Sequence, residues 1–113
     1  MGVERIKYEN NPTELKIIKN YFTKENEDSE LMNKLTQTGE ISSLDKILLL
    51  YWMETPNECR RNGYATKALE NLIKDNKEQY ELIVAHALTE EGRQFNIKNN
   101  FKQLDKQTWV RVI

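Results

Sequence analysis

An unbroken apolar run, Ile47-Leu48-Leu49-Leu50-Tyr51-Trp52-Met53, constrains this chain more than any other segment. A strand with one wet face alternates polar and apolar residues. A run without alternation therefore reads as a central strand buried on both faces. Downstream, Ala65, Ala68, Leu69, Leu72 and Ile73 recur at helical spacing and form one apolar stripe. Between strand and helix lies a short basic turn, Arg60-Arg61-Asn62-Gly63-Tyr64-Ala65. A strand, a glycine turn and a helix start together aim free backbone N–H groups outward, a geometry that binds phosphate. The competing local reading is a hairpin, since Asn62-Gly63 suits a type I′ turn. That reading needs period-two alternation after Gly63, and the residues there keep helical spacing instead.

The rest of the chain gives a mixed α/β order. Val3 to Tyr8 alternates weakly and reads as an edge strand. Asn11 suits an N-cap, with Pro12 at the first helical position and Glu14 as capping-box partner. Leu15, Ile18, Tyr21 and Phe22 then supply the buried side of a first helix. Lys24 to Asp28 reads as a charged linker. Ser29 or Asp28 opens a second short helix carrying Leu31, Met32 and Leu35, and Thr36 to Asp45 reads as a loop or poorly formed strand. After the central helix, Asp75-Asn76-Lys77 is a helix exit and Leu82-Ile83-Val84-Ala85 a second buried strand, parallel to the first in a right-handed βαβ unit. Thr89 caps a last helix whose opening acids, Glu90 and Glu91, suit its dipole. That helix runs to about Asn99. Phe101 to Leu104 and Trp109 to Ile113 follow as two terminal strands.

Composition narrows the function classes. At 113 residues the chain is expected to be one domain, residues 1–113, large enough to bury roughly two-thirds of its unfolded surface. Lys and Arg number 17 against 18 Asp and Glu, so no nucleic-acid-binding field is indicated. The lone Cys59 excludes an internal disulfide and fits a reducing compartment. One histidine and one cysteine are too few for a zinc site of the usual kind. No apolar run approaches membrane-spanning length, and Met1 to Arg5 leads into no signal-peptide core. A cytoplasmic domain with no membrane or nucleic-acid partner and no metal is the expectation.

The basic turn resembles the acyl-CoA-binding signature of the Gcn5-related N-acetyltransferase (GNAT) superfamily, Q/R-x-x-G-x-G/A. Arg60 takes the first position, Gly63 the glycine and Ala65 the final small residue. Phe95-Asn96-Ile97-Lys98-Asn99-Asn100-Phe101-Lys102 is similar to the family's last-helix pattern, an aromatic pair and a charged turn leading through Gly-Phe to a strand. Asn100 stands at the usual glycine and is the next-best residue for a left-handed helix exit. Thr89 and Gly92 fall at the small or polar positions that begin that helix. The resemblance covers Lys46 to Ile113 and fades upstream. The family usually carries an antiparallel hairpin before the central strand, and Thr36 to Asp45 is too short for one. The chain accordingly reads as a small, reduced member with a GNAT-like mixed sheet around a βαβ acyl-CoA unit.

The resemblance implies acetyl-CoA, or another acyl-CoA, as donor and a primary amine as acceptor. It places the cofactor pyrophosphate on the backbone amides of Arg61, Asn62, Gly63, Tyr64, Ala65 and Thr66, with Arg60 or Arg61 adding charge-assisted bonds. The strand end from Met53 to Thr55 is the family's usual source of the N–H that polarises the thioester carbonyl. Glu54, at the carboxyl end of that strand, is the first candidate for the base or water relay, beside the plainer reading of a solvated carboxylate. His86 closes the second buried strand and either faces the cofactor or is structural. Cys59 has no partner of the kind a nucleophilic thiol needs. Tyr51, Trp52 and Trp109 read as core or groove-lining, strand parity putting Tyr51 and Trp52 on opposite faces.

One departure bears on mechanism. Family members often carry a tyrosine where this chain has Asn96, and an amide supplies no titratable proton. Asn96 is then either a cofactor contact or a polar residue on an exposed turn. The missing tyrosine and shortened front half favour a second hypothesis, an acyl-CoA-binding or protein-interaction module with little catalysis. A third is an unrelated βαβ domain that binds some other phosphate ligand, although the turn lacks the Gly-Lys-Ser/Thr of a nucleotide P-loop. A short front half also implies an open acceptor side, which points towards a protein amine or a completing protein partner.

Overall fold

In the computed structural model, which describes residues 2–19, 21, 46–60 and 62–113, the chain opens with β1 (Val3–Lys7), β2 (Glu14–Ile18) and β3 (Ile47–Glu54). A 3₁₀ turn (Asn57–Cys59) then leads to helix α1 (Tyr64–Asn76) and β4 (Leu82–His86). Helix α2 (Glu90–Lys98), β5 (Lys102–Gln103) and β6 (Thr108–Val112) complete the described elements. The strands form one six-stranded sheet in the order β1-β2-β3-β4-β6-β5. Strands β3 and β4 pair in parallel, and the other neighbours are antiparallel.

Helix α1 joins the parallel pair because a parallel connection must cross the sheet, and its apolar stripe needs a face to cover. Ala68, Leu69 and Leu72 are fully buried against Leu48, Leu50, Ile83 and Ala85, with Leu15, Ile17 and Trp109 in the same cluster. The opposite face carries a second cluster of Ile18, Ile47, Leu49, Leu82, Val84 and Val110, with Tyr21 and Leu104 packed against it. Burial on both faces explains why the first halves of β3 and β4 read as continuous apolar runs. Helix α2 starts as its sequence implies: the Thr89 hydroxyl accepts from the Gly92 N–H at 3.0 Å. It ends through Asn100, whose φ of 66° lies in the left-handed region that asparagine tolerates.

The first helix read from the sequence is not formed where its residues are described. Glu14–Ile18 is a strand, paired with β1 on one side and with β3 on the other. Leu15 and Ile17 face the α1 side while Ile18 joins the opposite cluster. Alternation, carried by a β-branched pair beside a strand that needs a partner, wins over a helical spacing that is just as legible. Asn11 is accordingly not an N-cap. Its Oδ1 accepts from the Thr13 N–H at 2.9 Å in an Asx-type turn. With Asn10 at φ 60°, this turn joins β1 and β2 into an antiparallel hairpin beside β3. A hairpin in front of the central strand is therefore present, upstream of the segment that is too short to hold one, and the premise of a shortened front half falls. Phe22, the proposed second helix (Leu31, Met32 and Leu35) and the Thr36–Asp45 segment lie outside the described residues.

Tyr8 ties the hairpin to the far end of α1. Partial burial, the nearby Asp75 carboxylate and a hydrogen bond to it together push the Tyr8 hydroxyl well above its ordinary value. The folded state thus holds the proton more tightly than the unfolded chain. The resulting stability is fully present below the unfolded value of about 10 and is lost as pH rises above it. Tyr8→Phe should flatten the fall of stability between about pH 10 and 11, as read by chemical denaturation across that range. A variant whose alkaline slope matches the parent's would show that Tyr8 does not contribute.

Candidate functional site

The register of β3 against its two neighbours creates the site. Against β2, Lys16 pairs with Trp52 and Ile17 with Leu50, so Tyr51 is an extra residue on β3. This bulge bends and twists the strand. It leaves Tyr51 58% exposed and interrupts the simple parity expected of Tyr51 and Trp52. Beyond it β3 continues with β2, through Leu15 to Met53 and Glu14 to Glu54. The parallel ladder with β4 stops at Leu50 and Ala85. Strand β4 instead follows β6, pairing Ala85 with Trp109 and His86 with Thr108. The sheet therefore opens into a V at the carboxyl ends of its parallel pair, where open α/β sheets place their ligands. Among the described residues no strand pairs with the β4-facing edge of the last β3 residues.

The cleft encloses about 930 Å³, within the range of small-molecule sites. One wall is the end of β3 from Leu50 to Thr55, and the other runs from Ala85 and His86 to α2 through Gly92, Phe95 and Asn96. Its mouth holds Arg60 and the start of α1 from Gly63 to Thr66. Gly63 caps α1 with φ 78° and makes no side-chain cap bond to the helix's first N–H groups. No acidic residue lies in that first turn either. The positive end of the helix is thus left to whatever enters the cleft. The contrast with α2 is instructive. There Thr89 caps an N–H and Glu90 occupies the first turn, its carboxyl held below the usual range by a hydrogen bond from Gln94 and by the Arg93 guanidinium.

Arg60 arches over the mouth. Its Nε donates to the Thr55 carbonyl at 3.2 Å, and its Nη1 lies 3.5 Å from the Glu91 carboxylate across the cleft. Both side chains are well exposed, so the pair contributes about 0–1 kcal/mol. An anionic ligand can take Arg60 from Glu91 at small cost.

Most of the site residues read from the sequence meet in this cleft: Met53, Glu54, Thr55, Arg60, Gly63, Tyr64, Ala65, Thr66, His86 and Asn96. Asn62 stands apart from the lining, its amide donating to the Cys59 and Arg60 carbonyls at 3.2 and 3.4 Å and bracing the turn from within. Arg61 lies outside the described residues. Asn96 is 5% exposed rather than on an open turn, and it lines the cleft. Glu91 and Gln94 are lining residues that sequence reasoning missed. The signal lay in the helical spacing, which puts Glu91 one turn before both Gln94 and Phe95. Among the described residues no His, Cys, Asp and Glu side chains group as a metal would require. No helix among them is long and apolar enough to cross a membrane.

No family model matches the chain, and no curated protein matches it in sequence. Among solved structures it is similar to the crystal structure of an N-acetyltransferase from Staphylococcus aureus Mu50, with a TM-score of 0.53 and 16% sequence identity. The match covers 96% of this chain and 68% of that one. The fold is GNAT-like, a mixed α/β sheet whose parallel pair frames the cleft.

Proposed function

We propose that this chain is an N-acyltransferase that moves an acetyl group from acetyl-CoA, or a related acyl group from its CoA thioester, to a primary amine. One observation carries the reading: the uncapped start of α1 opens into the cleft where β3 and β4 part. The donor's pyrophosphate would sit on the N–H groups of Gly63 to Thr66, with Arg60 adding charge-assisted bonds. Its pantetheine arm would run between the parted strands, meeting the free backbone edge of β3 as an added strand would. An N–H from Met53 to Thr55 would polarise the thioester carbonyl.

In the reaction the neutral amine nitrogen attacks the thioester carbon and the carbonyl electrons move to oxygen. Collapse of that oxyanion breaks the C–S bond and releases the thiolate. The amine's surplus proton passes to Glu54, directly or through one water; His86, on the facing wall, is the second candidate base. A thiol, which ordinarily ionises at about pH 8.5, leaves acceptably as the anion, so Asn96 need not act as an acid. Asn96 instead offers its amide to the donor from the cleft wall. The hairpin beside β3 removes the reason for supposing an open acceptor side. The acceptor is accordingly proposed only as a primary amine, free or borne on a protein. The absent acid at Asn96 favours a second reading, an acyl-CoA-binding or protein-interaction module on the same scaffold with little catalysis.

Calorimetric titration with acetyl-CoA against ATP and NAD should show binding of the first alone. Thiol release with a panel of amines then separates the readings, since binding without release supports the module. Mass spectrometry after incubation with labelled acetyl-CoA should place the label on small amines or on protein amines. Gly63→Val forces a branched residue into φ 78° while its Cβ meets no protein atom within 4 Å. It should weaken acetyl-CoA binding about tenfold or more and leave the fold intact. Arg60→Ala should weaken binding less and reduce its salt dependence. Parental affinity in both variants would remove the loop from the binding site. Asn96→Ala should leave the pH–rate profile in place, and a displaced limb would assign Asn96 a part in proton handling.

A further inference from the structure

The segment from Thr55 to Tyr64, which carries Arg60 and Gly63, is bolted down at both ends by one turn of the hairpin. At its start, the Thr55 hydroxyl lies 2.7 Å from that of Thr13, a fully buried residue. At its end, the Asn11 Nδ2 donates to the Tyr64 carbonyl at 2.9 Å across 53 residues of sequence. Asn11 is itself only 7% exposed. It is locked in place by accepting from the Thr13 N–H and by its own N–H donating to the Tyr8 carbonyl at 3.1 Å. Both anchors are side chains of the segment between β1 and β2. Neither belongs to the cleft lining.

The manner of attachment matters. A helix start is usually fixed by an N-cap side chain that accepts from one of the first N–H groups, which occupies a donor an anion would otherwise use. Gly63 has no side chain to do this. A glycine start is also the most mobile kind, because glycine has the most backbone freedom to lose. Asn11 grips the first turn through a carbonyl instead. The turn is fixed without a cap side chain occupying its N–H groups. Such preorganisation strengthens binding by removing the cost of ordering the loop when the ligand arrives.

We infer that Asn11 and Thr13 are positioning residues that hold the Thr55–Tyr64 loop and the first turn of α1 ready for the donor's phosphates. This rests on the reading that the loop binds the pyrophosphate of an acyl-CoA. The acyl and pantetheine part of the donor lies along the parted strands, whose end at Met53 and Glu54 is held by pairing with Leu15 and Glu14 of β2 rather than by these anchors. The two halves of the ligand should therefore respond differently to their removal. A residue that merely supports the fold would affect both halves alike.

The test measures binding of acetyl-CoA and of S-acetylpantetheine, which lacks the phosphates, by NMR titration of the parent, Asn11→Ala, Thr13→Val and Thr13→Ser. Asn11→Ala and Thr13→Val should each weaken acetyl-CoA binding about tenfold, the effect of one lost buried hydrogen bond. S-acetylpantetheine should bind each variant within about twofold of the parent, as expected of a site that has lost no contact. Thr13→Ser, which keeps the hydroxyl, should restore acetyl-CoA affinity. Should Asn11→Ala fail to fold, the Thr13 pair carries the comparison alone. Parental acetyl-CoA affinity in the variants, or equal loss of both ligands, overturns the inference while the proposed function stands. A parent that binds no acetyl-CoA overturns both.

Discussion

Everything at the candidate site follows from one extra residue on the central strand. Tyr51 has no single partner on β2, and the bulge it makes lets the end of β3 stay with β2 while β4 leaves with β6. An unbroken ladder would consume the backbone groups of both strands and close the sheet. The open V supplies main chain that no strand among the described residues pairs, together with a lined cleft and a mouth, all at the carboxyl ends of a parallel pair. Sheets tolerate such a defect when both flanking strands remain paired on their other sides. Here β2 and β6 provide that pairing.

The second requirement is a basic turn that does not wander. Charge and glycine suit Arg60 to Thr66 to an anion, but the same features would leave it loose. Its described residues are held by polar contacts, some from distant parts of the chain. Asn62 braces the turn from inside, Arg60 reaches back to Thr55, and the hairpin turn fixes both ends. Buried polar residues such as Thr13 and Asn11 are costly unless satisfied. Both are satisfied through one another or through the loop.

Much of this was legible in the residues. The parallel β3–α1–β4 unit, the Thr89 cap, the Asn100 exit and the terminal strand pair each follow from local chemistry that the tertiary structure respects. The cleft draws its walls from strand ends and a helix start that the apolar run and Gly63 marked in advance. The Glu14–Ile18 strand was not legible, because five residues with apolar side chains at Leu15, Ile17 and Ile18 satisfy either period. The presence of β3 as a partner decides between them. The bulge at Tyr51 has no sequence signature at all. It is a difference in register between two neighbours, visible only when both are in place. The contact of Asn11 with Tyr64 is equally silent, since the sequence offers Asn-Pro as a helix start and only the folded hairpin turns that amide towards α1.

The central claim is that an acyl-CoA lies in the V with its phosphates on the start of α1. The most direct measurement is the set of backbone amide shifts in a two-dimensional nitrogen–proton NMR spectrum on adding acetyl-CoA. The account predicts the largest changes at the N–H groups of Gly63 to Thr66, with a second group along Met53 to Thr55 and little change at β1 or β5. Shifts concentrated away from α1 and the end of β3, or no shifts at saturating ligand, would contradict it.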